Sequence, residues 1–151
     1  MLSSSYLSRL YYQPEALDQI ISKIQPEILE KQIQPGKWSI KENLAHLVRY
    51  QKESMHRINL ILKEKEPLLK RYIAEDDDEF PIVLSFPFNI LLLHLKEDRK
   101  QFHALLISLT DDQLSRTGTH PVLGSLTLLE WVEFFLLHEA HHMMTIFKLA
   151  H

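Results

Sequence analysis

The chain has 151 residues, 45% of them hydrophobic and 25% charged, with a net charge of −3 and no cysteine. This is the composition of a globule with enough apolar surface for a core of its own, and its length sets an expectation of one domain over residues 1–151. It excludes disulfides, thiolate nucleophiles and cysteine-held zinc, and it offers no basic cluster for nucleic acid and too few glycines for a phosphate-cradling loop.

Taken in chain order, Leu17, Ile20, Ile21, Ile24 and Ile28 recur at spacings of three and four, the period of a helix with one buried face. With Pro14 and Pro26 as its limits, the pattern predicts a helix over about 14–25, preceded by a short one over about 3–12. After the turn IQPGKW, Ser39-Ile40-Lys41-Glu42 forms an S-x-x-E capping box, which marks a helix start because it satisfies orphan backbone N–H groups. Helix two is expected from Ser39 to about Lys63, carrying Leu44, Leu47, Tyr50, Ile58 and Ile61.

The segment from Lys63 to about Phe86 contains Pro67, Pro81 and the acidic run Asp76-Asp77-Asp78-Glu79, read as a solvated loop. A link of this length can cross the height of a helical bundle, so that the next helix runs parallel to the last. Helix three follows over about 88–108, then the turn-rich TDDQLSRTGTHPVLGS, with no convincing strand. A second capping box, Thr127 to Glu130, opens helix four, expected to reach about Lys148. Each half thus runs from a short polar piece through a glycine turn and a capping box into an apolar helix bearing histidine. The expected architecture is all-α, a four-helix bundle.

Residues 138–142 read HEAHH and satisfy H-E-x-x-H, the pattern of helical zinc sites. On helix four the inward stripe passes through Leu128, Trp131, Phe135, His138 and His142, so the i, i+4 pair lies one turn apart on the buried face. His141 is about 100° away around the helix and ranks below them as a ligand. A catalytic metal usually takes three protein ligands. A zincin protease takes its third from downstream, where the sequence has Lys148 and no acid, so the third must come from earlier.

His46 is that residue. It lies seven residues past Ser39, about 10 Å into helix two, whereas His138 and His142 lie about 16 and 22 Å into helix four. With helix four about 33 Å long and antiparallel to helix two, the levels agree, which favours an up-down-down-up order. The competing reading is a set of core histidines held by hydrogen bonds alone, and the remaining five, His56, His94, His103, His120 and His151, are read as surface or capping residues.

The stretches GKWSIKENLAHL and THPVLGSLTLLEWVEFFLLHEAHH, with the helix order between them, resemble the DinB-like (DinB/YfiT) superfamily of small bacterial four-helix bundles. The resemblance spans nearly the whole chain. It implies an up-down-down-up bundle, a divalent metal held by three histidines matching His46, His138 and His142, commonly zinc or nickel, and a homodimer. A neutral three-histidine site also suits iron or manganese.

Two functions follow as expectations. One is a metal-dependent enzyme, a hydrolase using water or a thiol S-transferase taking its thiol from a small cosubstrate, with open metal coordination. Glu139 is then a base beside the ligands, or else an exposed acid. The other is a noncatalytic, metal-stabilised bundle that binds a ligand or partner, with Leu60, Leu62 and Phe134 as a dimer face. No export signal or membrane span is read, so a cytoplasmic location is expected, with neither membrane nor nucleic acid as partner.

Overall fold

A computed structural model describes residues 1–151. The first helical segment is α1 (Ser4–Tyr12) and α2 (Ala16–Ile21), joined by a tightened turn in which Glu15, Ala16 and Leu17 bond back three residues, to Tyr12, Gln13 and Pro14. Pro14 is therefore a joint inside this segment, not its start, and the segment ends at Ile21, earlier than its apolar period suggests. The later isoleucines belong to the turns around α3 (Pro26–Leu29). The long helices are α4 (Ile40–Lys63), α6 (Phe88–Ile107) and α8 (Leu128–Ala150), with α5 (Glu79–Leu84) and α7 (Asp111–Leu114) as short pieces between them. Both expected capping boxes are formed, at Ser39 and at Thr127.

Helix directions follow from side-chain partners. Along α4, Asn43, Tyr50 and Arg57 meet His142, Phe135 and Trp131, so α4 and α8 are antiparallel. Arg99 and Phe102 of α6 meet Glu139 and Phe135, so α6 is also antiparallel to α8 and hence parallel to α4. Arg9 and Gln13 meet Glu133 and Leu136 in rising order, which makes α1 parallel to α8. The bundle is up-down-down-up, and the segment between α4 and α6 is its long crossover.

That crossover is more structured than its acidic run suggests. Asp77 accepts two bonds from the Arg49 guanidinium, at 2.7 and 3.1 Å, and a third from the Tyr72 hydroxyl at 2.8 Å. It anchors α5 against α4 instead of standing in solvent. At the far end, Leu69 donates to Thr119 and Thr119 to Pro67, tying the crossover to a hairpin of β1 (Thr117–His120) and β2 (Gly124–Thr127). Four-residue strands, TGTH and GSLT, carry no alternating apolar pattern, which is why the sequence shows no strand there. Gly118 is required by close approach, since a Cβ would stand 2.8 Å from Ile61 Cγ1. Leu60, Leu62 and Phe134, expected as exposed apolar residues, are half-buried against the core.

One buried polar node ties the bundle together. The Arg99 guanidinium on α6 pairs with Glu139 on α8, donates to Gln51 of α4 at 2.8 Å, and reaches the Leu10 carbonyl of α1 at 3.3 Å. Gln13 donates to Glu139 and to the Leu136 carbonyl at 2.8 and 3.0 Å. Arg99 and Glu139 are 6% and 4% exposed, so either charge left alone would be stranded in the interior. Glu139→Ala is expected to cost about 3–5 kcal/mol, and the pair Arg99→Met with Glu139→Leu to recover much of it, since both charges are then gone. Urea unfolding of the three proteins checks this; a double variant no more stable than the single would show that the polar network itself holds the fold.

Candidate metal centre

The site is built outward from the start of α4. Ser39 caps the helix by accepting from the Glu42 N–H at 3.1 Å, and its own carbonyl accepts from Asn43 Nδ2 at 2.9 Å. That bond fixes which way the Asn43 amide faces, leaving Oδ1 to meet His142 Nδ1 at 2.9 Å. An amide oxygen can only accept, so His142 carries its proton on Nδ1 and its Nε2 lone pair is free. A local helix cap thus sets the tautomer of a ring on another helix.

His46 and His138 complete the group, their Nε2 atoms 3.2 Å apart. One nitrogen from each of His46, His138 and His142 lies within 4.8 Å of the others. Two nitrogens bound tetrahedrally to one ion at 2.0–2.1 Å would be about 3.3 Å apart, so the close pair already has metal-ligand spacing. His46 Nδ1 and His138 Nδ1 are buried without a hydrogen-bond partner, so these two rings meet polar company only at Nε2. Neutral nitrogen donors that converge through Nε2 suit a divalent cation of borderline softness.

Aromatic rings wall the group. Tyr50 stacks on His138 with centroids 3.8 Å apart, Trp38 lies 5.0 Å from His46 and 6.1 Å from His142, and Tyr72 is 5.7 Å from His46. The apolar walls disfavour imidazolium. Burial first, then neighbouring rings, pushes His46 down to about 3 and His138 to about 2, with His142 at about 4. All three are neutral at physiological pH, the form that ligates metal.

The structure thus brings His46, His138 and His142 together and leaves His141 exposed beside them, its ring 5.3 Å from that of His142. Glu139 matches neither expectation for it. It is not exposed, and its two oxygens are taken by Gln13 and Arg99. One residue past His138 is about 100° around the helix, which turns it toward α1 and α6. Sequence reasoning missed Asn43 and Trp38. The signal for Asn43 was its place three residues before His46, a polar residue one turn away on the same inward face.

Comparisons with known proteins agree with this fold. The chain belongs to the DinB superfamily, whose family model matches residues 9–146. It is 29% identical over 129 residues to proteins of Bacillus cereus and Bacillus thuringiensis named as candidate metal-dependent hydrolases, covering 85% of this chain and 74% of theirs. Among solved structures it is similar to YfiT of Bacillus subtilis, a candidate metal-dependent hydrolase whose four-helix bundle topology is described as unusual. That match has a TM-score of 0.82 at 24% identity and covers 99% of this chain and 88% of YfiT. The DinB-like protein YjoA of Bacillus subtilis matches with a TM-score of 0.61 at 17% identity, over 97% of this chain and 90% of YjoA. No helix is long and apolar enough to cross a membrane.

The lowered histidine values carry a pH dependence. Below the ordinary value of about 6.5 the unfolded chain takes up protons that the folded trio refuses, so stability is full above that pH and falls as pH drops toward about 4. Chemical unfolding of the metal-free protein at several pH values is expected to show this loss, and His138→Gln to show a shallower slope. Equal slopes in both proteins would place the acid sensitivity elsewhere.

Proposed function

We propose that the protein is a metal-dependent hydrolase whose divalent ion, zinc or nickel, is held by His46, His138 and His142. The observation that carries this is the convergence of three neutral imidazoles from two antiparallel helices, two of their Nε2 atoms at 3.2 Å, behind an open cleft that reaches His142 and Trp38. The names of the curated relatives support the reaction class.

When bound, the ion lowers the pKa of an attached water or thiol toward neutrality and polarises the group under attack. The protein's residues do the rest. Asn43 holds His142 in its Nδ1-protonated tautomer, so this ring offers Nε2 and does not rotate. Trp38 and Tyr50 fix the ring planes and keep water from the buried side. Three neutral donors leave the ion's charge uncompensated, which sharpens its acidity compared with a site containing carboxylate. Glu139, tied to Arg99, supplies support to the scaffold and leaves proton transfer to groups in the cleft. With no cysteine in the chain, a thiol nucleophile would enter as a cosubstrate.

Elemental analysis of protein purified after metal supplementation is expected to find stoichiometric zinc or nickel, and His46→Ala to lose it. Asn43→Leu, which keeps the branched shape but removes both the acceptor for His142 and the donor to the Ser39 carbonyl, is expected to lower metal affinity by about 10–100-fold, with circular dichroism checking that the helices remain. Ester and amide panels, with and without small thiols, then separate hydrolysis from thiol transfer. A protein that holds metal yet turns over nothing would be the noncatalytic binding module. A protein that holds no metal would end the proposal.

A further inference from the structure

The cleft outside His142 has a volume of about 470 Å³ and a composition unlike that of the chain as a whole. The protein carries a net charge of −3, yet Lys37, Lys148 and His141 line this cleft against a single acid, Glu75. His141, Thr145 and Lys148 follow one another at spacings of four and three, so they form one stripe of α8 next to the ligand His142. Lys37 stands opposite, on the loop before α4, one residue from Trp38. The two walls of the cleft therefore each offer an ammonium group beside the proposed metal.

Neither ammonium is spent. Lys41, Lys96 and Lys100 are each paired with a carboxylate, at 2.9, 2.5 and 2.7 Å, whereas Lys37 and Lys148 have no acid within ion-pair distance. The other cavity of similar size, about 450 Å³, differs in carrying more acid. There Arg49 is held by Asp77 and Arg57 by Glu53 and the Lys70 carbonyl, three acids (Glu53, Asp76 and Asp77) line the wall, and Lys70 and Arg71 have no ion-pair partner. Unpaired cations from two elements, beside the proposed metal site and set against the one acid Glu75, make a mainly cationic cleft that concentrates and orients anions.

We infer that this cleft is a subsite for the anionic group of a small substrate, a carboxylate or a phosphate, gripped between Lys37 and Lys148 while the bond to be cut lies over the histidine trio. The inference rests on the hydrolase reading for its placement beside the reacting centre, but the grip itself needs no metal. Glu75 gives the subsite polarity, since an anion is held at the lysine side and repelled from the crossover side. His141 completes this wall, its ring 5.3 Å from that of His142.

Inorganic phosphate and acetate, titrated separately into metal-free protein at low ionic strength, test the subsite by the amide shifts of residues around Lys37, His141 and Lys148. Saturable shifts confined to the cleft are expected with at least one of the two, and the stronger binder identifies the anion class. Replacing both lysines, Lys37→Gln with Lys148→Gln, is expected to weaken that binding about tenfold or more, the size of one or two charge-assisted hydrogen bonds. Lys148→Arg should retain it. Because both side chains are exposed, the double variant is also expected to keep the wild-type melting temperature and metal content. No saturable binding at millimolar concentration, or equal binding by wild type and double variant, would overturn the subsite. Anion binding that behaves as expected in a protein that takes up no metal would sustain the subsite and overturn the hydrolase reading alone.

Discussion

The bundle depends on one buried ion pair, Arg99 with Glu139. Four helical segments meet at it: α6 supplies the cation, α8 the anion, α4 the Gln51 amide, and α1 both Gln13 and the Leu10 carbonyl. A pair of charges in an interior gains little net stability, since desolvation offsets their attraction. What it does impose is register. Arg99 can reach all its partners only if the helices stand at one relative height, and a slip of one turn on any of them would strand a charge.

That height is also the height of the histidines. On α8, residues 138, 139 and 142 separate the apolar cluster around Trp131 and Phe135 from the one containing Met143 and Ile146. On α6, Arg99 separates Leu91 and Leu95 from Phe102 and Leu106 in the same way. The core is therefore two apolar compartments with a polar layer between them. The same layer carries the pair that sets register on one flank and the imidazoles that share a point on the other. A site whose proposed ligands lie 92 residues apart in the chain needs such a constraint, because separations of a few tenths of an ångström decide whether two nitrogens can share an ion.

Much of this could be read from the sequence, and the parts that could not have a common cause. Capping boxes at Ser39 and Thr127 and the 3.6-residue period of α4 and α8 are local signals, and counting from the caps alone puts His46 level with His142. The first helical segment was legible only in part, because Pro14 can end a helix or merely tighten a turn, and the neighbours that decide lie on α6 and α8. Asp77 read as one acid in a solvated run, since its partner Arg49 is on another element. The hairpin left no pattern in eight residues of mostly small and polar type. Asn43 escaped for a similar reason: its role is defined by a bond across 99 positions.

The H-E-x-x-H match shows how far a short pattern carries. In a zincin helix the glutamate beside the first histidine is the base of the reaction. Here the two outer histidines keep the ligand spacing, but the residue after His138 necessarily points about 100° away, and this fold places Arg99 and Gln13 in that direction. The carboxylate is consumed by the scaffold and cannot be reached by anything in the cleft without breaking the node that sets the helix heights. On the proposed hydrolase reading, proton transfer then falls to the exposed side, where His141 stands, or to the substrate itself. The same five letters therefore serve a different division of labour: two proposed ligands, one structural anchor, and one cleft residue.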